Sequence, residues 1–247
     1  MKRVILLTAI FSIIVMPVCA AVTSSGILGK VKAAEAGLTD WKADMVITEA
    51  NKKNVSGMGD GYGDILKLDK ALVFYKTPDQ IRYDGFAEGI KVTYVQNGYT
   101  KLILATMVRH KENVKNAPGK RFDSLDLGFV SSKLWNDNNV TVVCVDKKTG
   151  IAKLKFDPKF GDKDKRHDMV WLNPNTLKLV KREKYRGSGE MRTRTVYSDY
   201  EKLTSKLPIA TNANLFNGSG KELGSVKYKN VKVNTQIKAS LFSLSQK

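Results

Sequence analysis

Two histidines and two cysteines are all that this 247-residue chain offers to the commonest kinds of metal and nucleophile chemistry. His110 and His167 both lie among charged residues, and neither belongs to an HExxH, HxH or CxxC arrangement that would aim two ligands at one ion. Both read as solvated loop residues, and no metal or cofactor is expected. Cys144 sits in the apolar run 140–145 with no neighbouring histidine or cation to lower its thiol pKa, so it reads as a small core residue. Gly187-Ser188-Gly189 is not a G-x-S-x-G elbow and reads as a hairpin turn. Gly59-Asp60-Gly61-Tyr62-Gly63-Asp64 could wrap a cation or offer backbone amides to a phosphate. It lacks the order and distal Glu of an EF-hand and the Lys of a P-loop, which leaves a glycine-rich loop. Nothing promotes a carboxylate pair for glycoside hydrolysis, and the chain is not expected to be an enzyme.

The charge is more informative. Against 24 acidic residues stand 42 basic ones, a net +18, which favours anionic partners. The basic runs 111–120 and 159–166 carry few aromatic residues, so a nucleic-acid groove with stacking platforms is not expected. A weak attraction to anionic membrane surfaces is the more useful reading, worth about 1 kcal/mol per basic residue at the bilayer.

The N-terminus sets a compartment. Lys2-Arg3, the apolar stretch 4–15, Pro17 and the small residues around Cys19-Ala20-Ala21 have the layout of a secretory signal peptide, 1–20, leaving a single domain over 21–247. Losing Lys2 and Arg3 and no acid takes the net charge from +18 to +16. Two other fates stay open: retention as an anchor, since no charge follows before Lys30, and lipidation of Cys19, although Met16-Pro17-Val18 departs from a lipobox. Cleavage leaves Cys144 alone, so the mature domain has no internal disulfide and must be held by its core. Asn54, Asn139 and Asn217 head Asn-x-Ser/Thr sequons, which matter only in a glycosylating host.

The elements are mostly strands. Ile27, Val31, Ala34 and Leu38 have helical spacing, predicting a short amphipathic helix over 27–38. Trp41, Ala43, Met45 and Ile47 alternate with Lys42, Asp44, Val46 and Thr48 as a first strand. Stretch 71–105 then holds successive strand-like runs broken at Pro78-Asp79 and Asn97-Gly98. A two-residue loop at Asn97-Gly98 would set Gln96 opposite Tyr99, Val95 opposite Thr100 and Thr93 opposite Leu102. Thr93, Val95, Thr100, Leu102 and Leu104 then share a face, which is expected to turn toward an apolar interior, with Gln96 and Lys101 on the other. Residues 107–121 read as an exposed loop, and 122–136 as a second amphipathic helix, a core element or a lid. Strand-like runs resume at 140–145, 151–156, 169–172, 177–185 and 191–200. After an irregular segment, 207–224, come 226–229, 231–233 and 241–244. About ten strands with short connections imply a large curved antiparallel sheet.

The F-x-x-x-P-x-x-I-R-Y-D-G run at 74–85, followed by a strand, Asn97-Gly98 and another strand, resembles the signature region of the LolA-like outer-membrane lipoprotein carriers and sorting proteins. Val231-Lys232-Val233-Asn234-Thr235 with Leu241-Phe242 is similar to that group's closing strands. The resemblance implies a mainly β (α+β) fold, an incomplete antiparallel β-barrel of about 11 strands with covering helices. Its concave face would hold the acyl chains of a lipid or lipoprotein. It also implies a periplasmic monomer moving between an inner-membrane donor complex and an outer-membrane acceptor, or a sensor of the same fold signalling to a membrane partner. Carried over by position, Phe74, Ile81 and Tyr83 would line the pocket, joined on register by Val95, Leu102 and Leu104. Independently of the resemblance, Phe129 and Leu134 on the second helix are candidates for the lid. Carriers of this kind place an Arg just before the proline to hold the lid; here Thr77 stands there, beside Lys76.

Overall fold

A computed structural model describes residues 22–48, 55, 65–161 and 165–245. The signal-peptide reading, Cys19, Asn54 and the 59–64 loop lie outside them. The described strands form one antiparallel sheet of 13 in the order β6-β5-β4-β3-β2-β1-β13-β12-β11-β10-β9-β8-β7. Two meanders build it. The first is β1 (Asp40–Thr48), β2 (Lys70–Lys76), β3 (Gln80–Ala87), β4 (Ile90–Asn97), β5 (Thr100–Ala105) and β6 (Val108–Asn113). The second is β7 (Asn138–Val145), β8 (Ala152–Pro158), β9 (His167–Leu172), β10 (Leu179–Tyr185), β11 (Met191–Lys202), β12 (Pro208–Asn217) and β13 (Glu222–Val233). Pairing of β1 with β13, Met45 opposite Tyr228, joins the meanders at the middle of the sheet.

The sheet curls around residues 122–135, because strands far apart in its order touch that one short segment. Gln96 of β4 bonds to Phe122, Tyr197 of β11 to Leu125, and Ala210 of β12 to Gly128, while Phe156 of β8 meets Trp135 edge-on at 5.7 Å. The end strands β6 and β7 do not pair. Across the gap, Tyr99 meets Phe160 at 5.9 Å and donates to Asp137. The result is an incomplete barrel, as expected, with two strands more than the expected eleven.

Helix α1 (Ser24–Glu35) covers part of the concave face as its spacing predicts, burying Ile27, Val31 and Ala34. The Thr23 hydroxyl caps it by accepting the Gly26 N–H at 3.1 Å. The second predicted helix shrinks to α2 (Lys133–Asp137). Residues 123–129 run instead through successive turns, with Asp123 Oδ1 accepting the Leu125 and Asp126 amides. Gly128, at φ +84°, takes a left-handed conformation that ends any helix there, and a Cβ on it would stand 2.7 Å from the Ala210 carbonyl.

Four further expectations are corrected. Segment 107–121 contains β6, an edge strand whose polar side chains mask it as a loop. Segment 207–224 contains β12, which buries Ala213 and Leu215 despite its Asn and Thr content. The terminal run 241–244 is not a strand; Ala239–Phe242 form a 3-10 turn. Cys144 is exposed rather than buried, because the β7–β8 register slips between Val142 and Cys144 and rotates the side chain outward.

Candidate functional site

The concave face of the first meander is apolar. Trp41, Ala43 and Met45 of β1, Val73 and Tyr75 of β2, and Ile81 and Tyr83 of β3 are all buried on it. The register carries this face onward: Tyr83 pairs with Tyr94, and Ile81 with Gln96. Phe129 stands on this wall with its ring edge-on to Tyr75 at 5.2 Å and to Trp41 at 6.2 Å. Leu125, Leu127, Val130 and Leu134 are buried beside it, so residues 122–135 form a cover lying directly on the wall.

The cover's apolar side chains face the wall, and its fastenings are polar. Phe122 exchanges two hydrogen bonds with the buried Gln96 side chain, at 2.8 and 2.9 Å. The Tyr197 hydroxyl donates to the Leu125 carbonyl, and the Ser132 amide donates to the Glu35 carboxylate of α1. Lys101, also buried, lies 5.1 Å over the Phe122 ring, a cation–π contact at the cover's leading edge. The strongest fastening is Arg182 on β10. Its guanidinium donates to Asp123 at 2.8 and 3.0 Å, to Asp126 at 2.8 Å and to Asp168 at 2.7 Å, and Lys184 reaches Asp126 at 2.9 Å. Burial works against the Asp123 carboxylate, but Arg182 and Lys184 outweigh it and hold it below the usual range. Burial raises Glu35 despite its hydrogen bonds to Ser132. A cleft of about 100 Å³ is left at the cover's edge, with Asp79, Arg121, Lys133 and His167 in its lining. His167 there stacks flat on Tyr185 at 5.0 Å, and His110 is exposed beside Glu112. No group of three or more metal-ligating side chains occurs among the described residues.

The eight expected site residues divide between the two faces of the sheet. Ile81, Tyr83, Phe129 and Leu134 meet on the concave side, the last two in the cover. Phe74, Val95, Leu102 and Leu104 lie on the convex side, which corrects their assignment to one pocket with Ile81. Phe74 pairs with Arg82 and Arg82 with Val95, so those three share the face that Ile81 and Tyr83 leave. Within the β4–β5 hairpin Thr93, Val95, Thr100, Leu102 and Leu104 do share one face, but the pairing is Asn97 with Thr100 and Val95 with Leu102, around Gly98-Tyr99 rather than Asn97-Gly98. Gly98, at φ +58°, supplies the positive φ at the first central position of the turn. The apolar interior that Val95 faces is built by the chain's end, where Ile237 and Phe242 are buried on Val95 and Leu102 with Phe74, Leu104, Leu241 and Leu244 around them. This strap is pinned across the first meander. Asp40 accepts from the Thr235 amide, Lys76 donates to the Ile237 carbonyl, Arg82 to Leu241, Asn97 to Phe242 and Arg109 to Leu244. Thr77 bonds to Thr39, so neither it nor Lys76 holds the cover; Arg182 does. The sequence offers one faint sign of that role, a run of four charges, Lys181-Arg182-Glu183-Lys184, inside an otherwise strand-like segment.

The fold has solved counterparts. A LolA superfamily protein from Nitrosomonas europaea superposes with a TM-score of 0.62 at 14% identity, covering 90% of this chain and 98% of that one. A domain from Vibrio parahaemolyticus described as a putative outer membrane lipoprotein-sorting protein gives 0.59 at 14% identity, covering 87% and 94%. A DUF1329 family protein from Desulfovibrio piger gives 0.53 at 9%, covering 89% and 96%. No family model and no curated protein matches the sequence. The chain therefore has the LolA-like fold, recognised through its shape.

Proposed function

We propose that the protein is a periplasmic carrier that takes the acyl chains of a lipoprotein into its half-barrel from an inner-membrane donor and releases them toward an outer-membrane acceptor. The observation that carries this reading is the construction of the cover: apolar side chains lie on an apolar wall, and polar and ionic contacts along the segment tie it to separate strands. Such a cover can lift without breaking the sheet. The face beneath it, Trp41, Val73, Tyr75, Ile81 and Tyr83, matches an alkyl chain. Each methylene moved onto the wall contributes about 0.8 kcal/mol, so a few of them offset the exposure of Phe129 and Leu134. The fold shared with lipoprotein-sorting proteins supports the same reading.

The test is acyl binding. Mass spectrometry of an organic extract from the native protein is expected to show fatty-acyl lipid, and a fluorescent fatty acid is expected to bind. Ile81→Glu should abolish that binding and Ile81→Gln weaken it, with far-UV circular dichroism unchanged. An empty extract together with unaltered probe affinity in the folded Gln variant would remove the concave wall from consideration.

A further inference from the structure

Among the described residues, the exposed large apolar side chains are Leu72, Phe86, Ile90, Met107, Val108 and Val143. All but Val143 gather at one end of the first meander. Ile90 follows the β3–β4 turn, Met107 lies in the β5–β6 turn and Val108 opens β6 beside it, and Leu72 and Phe86 stand on the neighbouring ends of β2 and β3. Met107, at 96% exposure, is almost wholly in water.

The cations at this end follow the register. Lys227 pairs with Val46, Val46 with Lys70, Lys70 with Phe86, and Phe86 with Lys91. Directly paired residues share a face, so one row across five strands reads Lys, Val, Lys, Phe, Lys, with all three lysines exposed. The carboxylates nearby are Asp44, Asp69, Asp84 and Glu88, of which Asp84 is engaged by Arg82 and Thr93, and Asp44 by Asn230. A groove of about 510 Å³ runs along the row past Leu72 and Phe86 to Met45 and Ala71, which belong to the concave face.

We propose that this rim is a membrane-docking surface for an anionic bilayer, with Ile90, Met107 and Phe86 entering the headgroup layer and Lys70, Lys91 and Lys227 meeting lipid phosphates. Alternation of cationic and apolar side chains along one edge suits an interface that is charged outside and apolar within. An exposed apolar patch marks either a protein or a membrane interface, and the row of exposed lysines beside Met107 favours an anionic bilayer, which takes up both kinds of side chain at once. The inference stands apart from the nature of the cargo, because none of these side chains belongs to the wall under the cover.

The test is co-sedimentation of the mature chain, residues 21–247, with vesicles of phosphatidylcholine alone and of phosphatidylcholine mixed with phosphatidylglycerol, at low and high salt. Binding is expected only to the mixed vesicles and should fall with salt. Lys70→Gln/Lys91→Gln/Lys227→Gln should lower partitioning about a hundred-fold, roughly five-fold per lysine. Ile90→Asp/Met107→Asp should lower it about ten-fold or more. Lys147→Gln/Lys148→Gln/Lys202→Gln, which removes the same charge elsewhere on the surface, should change it little. Absence of wild-type binding, equal losses in the two lysine triples, or wild-type partitioning by the rim variants would each overturn the assignment. All these variants should still bind the fluorescent fatty acid if acyl binding holds, so failure of docking and failure of the carrier reading give different results.

Discussion

Replacing Arg182 by Met tests the mechanism of closure most directly. The side chain is 5% exposed and is the common partner of three carboxylates, one of which, Asp126, is 1% exposed. Methionine fills similar space without a charge, so the variant removes the ion pairs while leaving little cavity. Asp126 keeps Lys184 at 2.9 Å, but Asp123 and Asp168 lose the guanidinium, and two carboxylates are left close together without the charge that balanced them. Breaking a buried pair from one side typically costs about 3–5 kcal/mol. Part of that cost should appear as lifting of the cover, since Asp123 and Asp126 belong to the cover and Arg182 to the sheet. Urea denaturation at neutral pH measures the total, and amide hydrogen exchange over residues 122–130 measures the local part. The expected result is a fall of about 3–5 kcal/mol overall, with faster exchange in the cover than in β11 or β12. Adding Asp123→Asn and Asp168→Asn to Arg182→Met should recover much of the loss, because the uncompensated charges go too. A stability change below about 1 kcal/mol with unchanged exchange would show that the cover is held by its apolar contacts alone and would refute the fastening argument.

Acid should loosen the same contact. Asp123 is held below the ordinary aspartate value of 3.8, so its contribution is complete above that value and is lost as the pH falls through the lower folded value. Cover exchange in the wild type is expected to accelerate below about pH 4, and in Arg182→Met to show no such step at Asp123; identical acid profiles would contradict the sign. On the opposite face, Phe242→Ala should destabilise the protein by about 3–5 kcal/mol, because the ring is fully buried on Val95 and Leu102. Chemical denaturation reads that loss, and a change under about 1 kcal/mol would mean that the strap adds little to the sheet.

Local periodicity disclosed what local physics controls. Ile27, Val31 and Ala34 announce α1 by their spacing, though not its start at Ser24, and alternation in Trp41–Met45 and Ile81–Tyr83 identifies the concave wall because each strand has one dry face. What stayed hidden depends on partners distant in sequence. Val95 and Leu102 read as interior residues, and they are, but nothing near them says that the cover on their face comes from Ile237 and Phe242 some 140 residues later. Arg182 looks like any strand cation until Asp123 and Asp126 fold over it. Helical spacing at Leu125, Phe129 and Val130 misled because apolar residues at i and i+4 also serve a chain of turns lying on a wall, and Gly128 decides between the two. β12 escaped notice because its Asn and Thr residues satisfy turn rules equally well. The edge strand β6 escaped because an edge needs no apolar pattern.

The seam between β1 and β13 has a consequence for the order of assembly during synthesis. Met45 must wait for Tyr228, so the central pairing of the sheet cannot form until β13 has left the ribosome, and the strap that shields Val95 and Leu102 comes later still. Each meander can zip up from its own hairpins beforehand, leaving two unfinished sheets with open edges and an uncovered apolar face. A nascent chain stalled before Asn234 would therefore offer a long adhesive surface to its neighbours, the surface that Ile237, Leu241 and Phe242 cover in the finished fold.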